Sequence, residues 1–372
     1  MTARTPTDGR WSCSGCGFCC HLYQLGPVEP EVIDGLRARA VEADWAPAAA
    51  QPWAEQRPGP DGQPAWYLTH KDGACVFLRP DNLCAIHGLY GSDAKPGFCR
   101  EFPYKVVPDP LGITVVPRPE CEGYGKTFEQ GDPVPQQVQT LLDLPRVVPR
   151  RPFAPEMVQA LPDVRVPLAT WMIWEQTLLA DLDGTRADPA SPEGTIGALR
   201  ARLCALAYQP APEPDGFRYV VAIRAAVEAV ARMTEHVLRQ PAPPSTSAWE
   251  LAFVAEQHEL LQRVRTRLAQ DWSALDAPMA PDARRFAHLL LRGQILGKGV
   301  HGLGGVAEGL GGALLDLAIA RVGQPEGDAE VTAAALGGIH GRWKKFASNA
   351  AIVHVLRLAR PALQDAFWHA GG

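Results

Sequence analysis

The chain has 372 residues, 46% of them hydrophobic and 21% charged, with a formal net charge of -5. That is ordinary globular material, long enough for two domains at roughly 100–200 residues each, so wholesale disorder is excluded. The excess of acid argues against a nucleic-acid surface covering the protein, and no nucleic-acid partner is expected.

Glycine and proline both number 35, which predicts many turns and broken helices. Of nine cysteines, eight lie between Cys13 and Cys121, and Cys204 stands alone. Met1 to Trp11 is polar and has no apolar run of the kind a secretory signal needs. No stretch of ~18 residues is steadily apolar. The closest, Gly299 to Ala320, is interrupted by Glu308 and Asp316. A cytoplasmic protein without a membrane partner is expected. In that compartment clustered thiols bind metal or do redox work more often than they form disulfides.

In chain order, Trp11 to Leu25 carries four cysteines, with His21 to Leu25 expected as a short strand. Pro30 to Glu42 has the apolar spacing of a helix, started by proline. Ala43 to Pro64, rich in Pro, Ala and Gln, is expected as a loop. Ala65 to Thr69, Cys75 to Leu78 and Ile113 to Val116 are strand candidates, with a turn at Asp72-Gly73. Prolines at 133, 135, 145, 149 and 152 mark 127–152 as a connector between a front unit, 1–126, and a back unit, 153–372.

Beyond the connector, Met157 to Leu182, Thr195 to Tyr208, Phe217 to Leu238, Ser247 to Asp271, Ala283 to Ile295, Gly305 to Val322, Asp328 to Lys345 and Ala350 to Phe367 all read as helices. The expected fold is therefore mostly α: a small, irregular, Cys-rich α+β metal-binding module followed by an all-helical C-terminal domain.

The cysteines run Cys13-x2-Cys16-x2-Cys19-Cys20, then Cys75-x8-Cys84-x14-Cys99-x21-Cys121. Overlapping C-x2-C turns present thiolates to one side, and Ser14, Gly15 and Gly17 let the backbone fold tightly. All eight are candidate metal ligands. A zinc ribbon needs a second C-x2-C knuckle, which is missing. Three cysteines at three-residue steps favour an iron–sulfur cluster over zinc, although no Cys-Pro follows. If Cys19 and Cys20 are extended, their side chains point to opposite faces. They then serve two centres, or one is free for chemistry. Cys204 reads as a buried packing residue.

Five ordered blocks carry a resemblance: Cys13-Ser-Gly-Cys16-Gly-Phe-Cys19-Cys20, Asp72-Gly73-Ala-Cys75-Val-Phe-Leu78, Cys84-Ala-Ile-His87, Pro96-Gly-Phe-Cys99-Arg100-Glu-Phe102-Pro103-Tyr104, and Cys121-Glu-Gly-Tyr-Gly125-Lys126. Together they resemble the CxxCxxCC (YkgJ-like) cysteine-cluster family, described as zinc- or iron-chelating. His87 stands where that family usually has tyrosine, and Gly88 to Lys95 is longer than usual. The family includes flagellin lysine N-methylases, which join a Cys-rich front part to a helical back part. That resemblance implies a metal-dependent protein-lysine methyltransferase using S-adenosylmethionine, with a protein as substrate. The alternative is a non-catalytic zinc- or iron-binding protein whose helical domain docks a partner. The radical-SAM spacing C-x3-C-x2-C is absent, and no catalytic residue is assigned.

Other features read as structural. Gly297-Lys-Gly299-Val-His-Gly302 fits G-x-G-x-x-G in letters, but its flanks read as helices and Glu308 and Asp316 come too early for a dinucleotide site. Close helix approach or a break in the bundle explains its glycines better. His288, His301, His340 and His354 are expected to be structural, Arg342, Lys344 and Lys345 a solvated face, and Trp171 and Trp174 core. Arg100 either donates near a cluster or pairs with an acid such as Glu101.

Overall fold

The computed structural model describes residues 3–5, 9–22, 25–185, 189–242, 246–324, 330–347 and 350–371. It is 58% helical, with 17 α-helices among the described residues, so the mostly-α class holds. No helix among them is long and apolar enough to cross a membrane.

The front of the chain is built from short paired strands. Tyr104–Asp109 and Gly112–Pro117 form a hairpin in register from Tyr104 opposite Pro117 to Asp109 opposite Gly112, and Ala3–Arg4 adds a parallel edge beside Ile113 and Thr114. β-Branched Val106, Val107, Thr114, Val115 and Val116 suit this pleated surface. The expected loop at 43–64 instead holds the strand Ala54–Pro58, paired with Pro64–Leu68. Its Pro/Gln/Ala composition hid a hairpin whose backbone pairing is anchored beside buried Trp53 and Leu68. Asp72 and Gly73 both have positive φ, the turn expected there, and join His70–Lys71 to Ala74–Cys75.

The helices follow the expected spans with four corrections. Pro30 to Glu42 breaks at Ala40, whose φ is positive, into Pro30–Ala38 and Val41–Asp44. Of Asp328 to Lys345, residues 328 and 329 lie outside the described residues, Val331 bridges Met279, and the helix begins at Ala333. Met157 to Leu182 is not one helix. Met157–Leu161 and Val164–Pro167 form a hairpin, and the helix begins at Leu168. Pro162 denies a helix its ladder, and Val158, Val164 and Val166 favour a strand, so the back of the chain is not all-helical. Ala350 to Phe367 is two helices, Ala350–Leu358 and Arg360–His369, divided where Pro361 sits in the first turn of the second.

Val306–Val322 is the central helix and is buried on nearly every side. A Cβ on Gly309 or Gly311 would collide with the carbonyls of Val300 or Leu363, so its glycines serve close backbone approach. Gly297 to Gly302 follows the helix Pro281–Leu296 rather than a strand, which removes the dinucleotide-site reading.

Three hydrophobic cores result. The largest gathers the helices with Phe18, Val116, Cys121, Tyr124 and Phe128 from the front. A second, around Ile33, Leu36, Val76, Phe77 and Ile86, belongs to the front alone. The third lies between the hairpin of Tyr104–Pro117 and the helix Val134–Asp143. A buried charge cluster clamps sheet to helices. Lys298 Nζ lies 2.5 Å from both carboxylate oxygens of Glu175 and 3.3 Å from Asp109, to which Arg4 also donates.

Candidate metal centre

Each thiol is placed by a local device. Gly15 and Gly17 take positive φ, which turns the chain tightly between Cys13 and Cys20. The backbone of Cys20 then donates to Gly17 O at 2.9 Å, and Phe18–Leu22 is a helical turn. Of the expected strand His21 to Leu25, His21 and Leu22 are helical and residues 23 and 24 lie outside the described residues, so the extended segment on which Cys19 and Cys20 would face opposite ways is not formed. In a helix successive side chains are ~100° apart rather than opposite, and the Cys19 and Cys20 thiols share a hydrogen bond.

Cys75 ends the strand that follows the Asp72–Gly73 turn. Cys84 stands at the start of the helix Ala85–Tyr90, bridged to Leu78. Cys99 lies in the helix Gly97–Glu101, whose first N–H, on Gly97, is bound by Glu29 Oε2 at 3.1 Å. Cys121 opens the turn before Tyr124–Thr127 and accepts a hydrogen bond from Trp11 Nε1 at 3.2 Å.

These five segments bring Cys13, Cys16, Cys19, Cys20, Cys75, Cys84, Cys99 and Cys121 to the wall of one cavity of about 690 Å³. All are free thiols, as is Cys204, which is buried in its helix away from the cavity wall as expected of a packing residue. Among the described residues no group of three or more Cys, His, Asp or Glu side chains is already drawn together as a finished ion site. The thiols line a room; they do not close around a point.

Burial keeps most of the cavity thiols protonated until something stabilises their anions. Burial pushes Cys75 and Cys121 up to about 12, Cys99 well above the ordinary thiol, and Cys16 upward. Cys19 and Cys20 share a thiol–thiol hydrogen bond, which lowers Cys19 to about 7 and raises Cys20. Protonated thiols in a buried cavity become thiolates when a metal stabilises the anion, so the donor set fits a soft, thiolate-binding metal. Lys95 and Arg118 also line the wall, where they would offset the negative charge of a metal–thiolate group.

The segments that carry the thiols pack on the helical region, although every residue of the cavity wall comes from the front of the chain, Trp11 to Arg146. His21 stacks on Trp249 with ring centroids 4.6 Å apart, and its Nδ1 lies 3.3 Å from Gly73 O. Ser247 caps the helix Ala248–Gln270 with Glu250 and abuts Gly73.

The residues read as a solvated basic face do otherwise. Arg342 lies over the rings of Phe18 and Phe253 and pairs with Glu122 and Glu256. Lys344 pairs with Asp316 at 2.5 Å. This face packs on the turn of Cys121, which helical periodicity alone does not reveal; the half-apolar spacing of Trp343 and Phe346 beside it was the available signal.

The remaining candidates settle as follows. His87 is exposed at the cavity rim. Arg100 pairs with Asp93 at 2.8 Å, while Glu101 pairs with Arg146 and Arg150. Trp171 and Trp174 are core. His301 packs between Phe153 and Trp171, His340 is buried near Asp316, and His354 is exposed.

One comparison with known proteins bears on these cysteines. Residues 12–124 match the CxxCxxCC family, described as a "putative zinc- or iron-chelating domain". The CxxCxxCC segment contains all eight cavity thiols and stops before the helical region. No curated protein and no solved structure matches the chain.

Proposed function

We propose that the CxxCxxCC segment holds an iron–sulfur centre in its cavity and that the helical region presents this centre to a protein partner. The observation that carries the reading is the gathering of eight free thiols from five chain segments around one room of about 690 Å³. Zinc–sulfur bonds of about 2.3 Å hold four thiolates roughly 4 Å apart. The thiols here are not gathered that closely, and a cluster of several metals reaches sulfurs that stand further apart. A reducing, cytoplasmic setting belongs to the same proposal, because it keeps the thiols free.

Purification without oxygen followed by elemental analysis and optical spectroscopy tests this. Iron, acid-labile sulfide and a visible absorbance bleached by dithionite are expected. A colourless protein loaded with zinc replaces the cluster with a structural ion, and a protein that takes up neither metal overturns the reading. Methyl transfer from S-adenosylmethionine to a protein lysine is the catalytic form of the proposal, supported by the Cys-rich front and helical back shared in outline with flagellin lysine N-methylases. Binding of S-adenosylmethionine to the anaerobically prepared chain supports that form; partner capture without it supports the non-catalytic one.

A further inference from the structure

The cavity is larger and more apolar than its thiols require. Its volume of about 690 Å³ falls in the range of sites that hold small organic molecules, roughly 300–1,000 Å³, whereas a zinc ion sits only about 2.3 Å from each sulfur. Leu25, Leu68, Phe77 and Ile86, all members of the front core, form part of its wall, and Phe98, which packs on that core, joins them. The wall also opens to solvent. Asn82, Leu83, His87 and Gly88 belong to it and are exposed, as are Cys13 and Ser14. A Cβ on Gly15 would lie 2.9 Å from Leu83 Cδ2, so these two exposed segments meet at the mouth.

The charges on the wall are unequally engaged. Both of its carboxylates are taken, Glu101 by Arg146 and Arg150, and Glu122 by Arg342. Arg79 pairs with Asp81, and Arg118 donates through Nε to Tyr104 O. Lys95 differs from these. It lines the cavity half-buried, three residues before Phe98, and no carboxylate pairs with it among the described residues. It stands within electrostatic reach of Cys19, Cys75 and Cys99, on the inner part of the wall. A cation beside an apolar space without a counter-charge is unfavourable, and an anion bound there relieves it.

We propose that the cavity binds an amphipathic organic anion, its charged group on Lys95 and its apolar body against Leu25, Leu68, Phe77, Ile86 and Phe98. The anionic group gains a charge-assisted hydrogen bond from the ammonium in a space sheltered from water. Arg118 adds positive potential to the same wall. A cationic organic molecule of similar shape finds no unengaged carboxylate there, and a neutral one leaves Lys95 without a partner. An ammonium has three N–H donors, so contact with a metal-bound sulfur leaves donors for the anion. The inference goes beyond the metal reading and stands on wall residues that carry no sulfur.

The reduced full chain, prepared without oxygen and with its metal content measured, is titrated with anilinonaphthalene sulfonate, an apolar aromatic body carrying one sulfonate, and followed by the dye's fluorescence. Saturable binding at one site per chain is expected. Octanoate should displace the dye, and octylamine, the same chain with the opposite charge, should need concentrations higher by about tenfold or more, the worth of one hydrogen bond to a charged group. This comparison needs no variant. Lys95→Met keeps the apolar stem and removes the charge. It should weaken the dye by about tenfold and leave the neutral phenylnaphthylamine unchanged, while Lys95→Arg should retain the dye.

Equal displacement by octanoate and octylamine, or equal dye affinity in Lys95→Met and the unmodified chain, overturns the proposal. The metal assay keeps the two readings apart. Selective anion binding by a chain that takes up no metal overturns the metal reading alone, and a metal-loaded chain without that selectivity overturns this one alone.

Discussion

Gly125 and Gly337 meet backbone to backbone across the seam between the Cys-rich front and the helices. A Cβ on Gly125 would lie 2.8 Å from Gly337 Cα, and one on Gly337 would lie 2.6 Å from Gly125 Cα and 3.0 Å from the Phe286 ring. Real Cβ atoms do not approach backbone so closely, so Gly337→Ala must push the Tyr124–Thr127 turn off the helix Ala333–Ala347. The expected cost is about 1–3 kcal/mol, the range for overpacking a well-filled contact. Urea unfolding of the full chain measures it. A loss within ~0.5 kcal/mol, ordinary for a surface substitution, would show that the seam yields freely.

The buried cluster of Lys298, Glu175, Asp109 and Arg4 sets two cations against two carboxylates, with both acid side chains fully buried. Lys298→Met leaves one carboxylate uncompensated, and breaking a buried pair in this way costs about 3–5 kcal/mol. Adding Glu175→Leu removes the orphaned charge and should restore much of the loss. A double-mutant cycle by chemical denaturation reads the coupling, and additive single losses would show that the two side chains act independently.

Much of this layout is legible in residue order, and the misreadings share a cause. The helix spans of the back half follow apolar periodicity because each buries a stripe, as Gly216–Arg239 does with Ala222, Ile223, Ala226, Val230 and their neighbours. The tight turn that holds Cys13 to Cys20 follows from overlapping C-x2-C spacings with glycine at 15 and 17. Long-range partners are what the order of residues conceals. Prolines made 127–152 look like plain connector, yet Pro133 and Pro135 sit at the start of a helix whose Val134, Val138 and Leu141 cover the sheet. The face of Arg342 and Lys344 looked solvated because its partners, Glu122 and Asp316, lie far away or on another helix. Cys19 and Cys20 lie in a helical turn rather than an extended segment, and the positive φ of Gly17 before that turn is a backbone fact that residue spacing does not carry.

His340 makes stability depend on pH in a definite direction. Burial lowers it to about 4, while its unfolded value is near 6.5. Between those values the unfolded chain binds the proton and the folded chain does not, so stability falls as pH is lowered from 6.5 toward 4. The full shift corresponds to on the order of 3 kcal/mol, an upper figure for one buried imidazole. His340→Gln removes the titration. Denaturant midpoints at pH 7 and pH 5 should therefore differ less in the variant than in the unmodified chain, and an unchanged difference would assign the pH response to other groups, His301 first, which burial also lowers to about 4.

Metal uptake is expected to release protons. Burial holds the Cys75 and Cys121 thiols near 12 and raises Cys16 and Cys99, so these sulfurs carry protons at neutral pH before a metal arrives. Thiolate is the form that binds, and each ligating sulfur must lose its proton to the medium. Affinity should therefore rise with pH across the neutral range, by up to a factor of ten per pH unit for each proton released. Calorimetry of zinc binding to the reduced full chain in buffers of different ionisation enthalpy counts the protons directly. Several per metal are expected, because neighbouring thiols in the same cavity are protonated together. Fewer than one per metal would mean that the ion is held by groups other than these sulfurs.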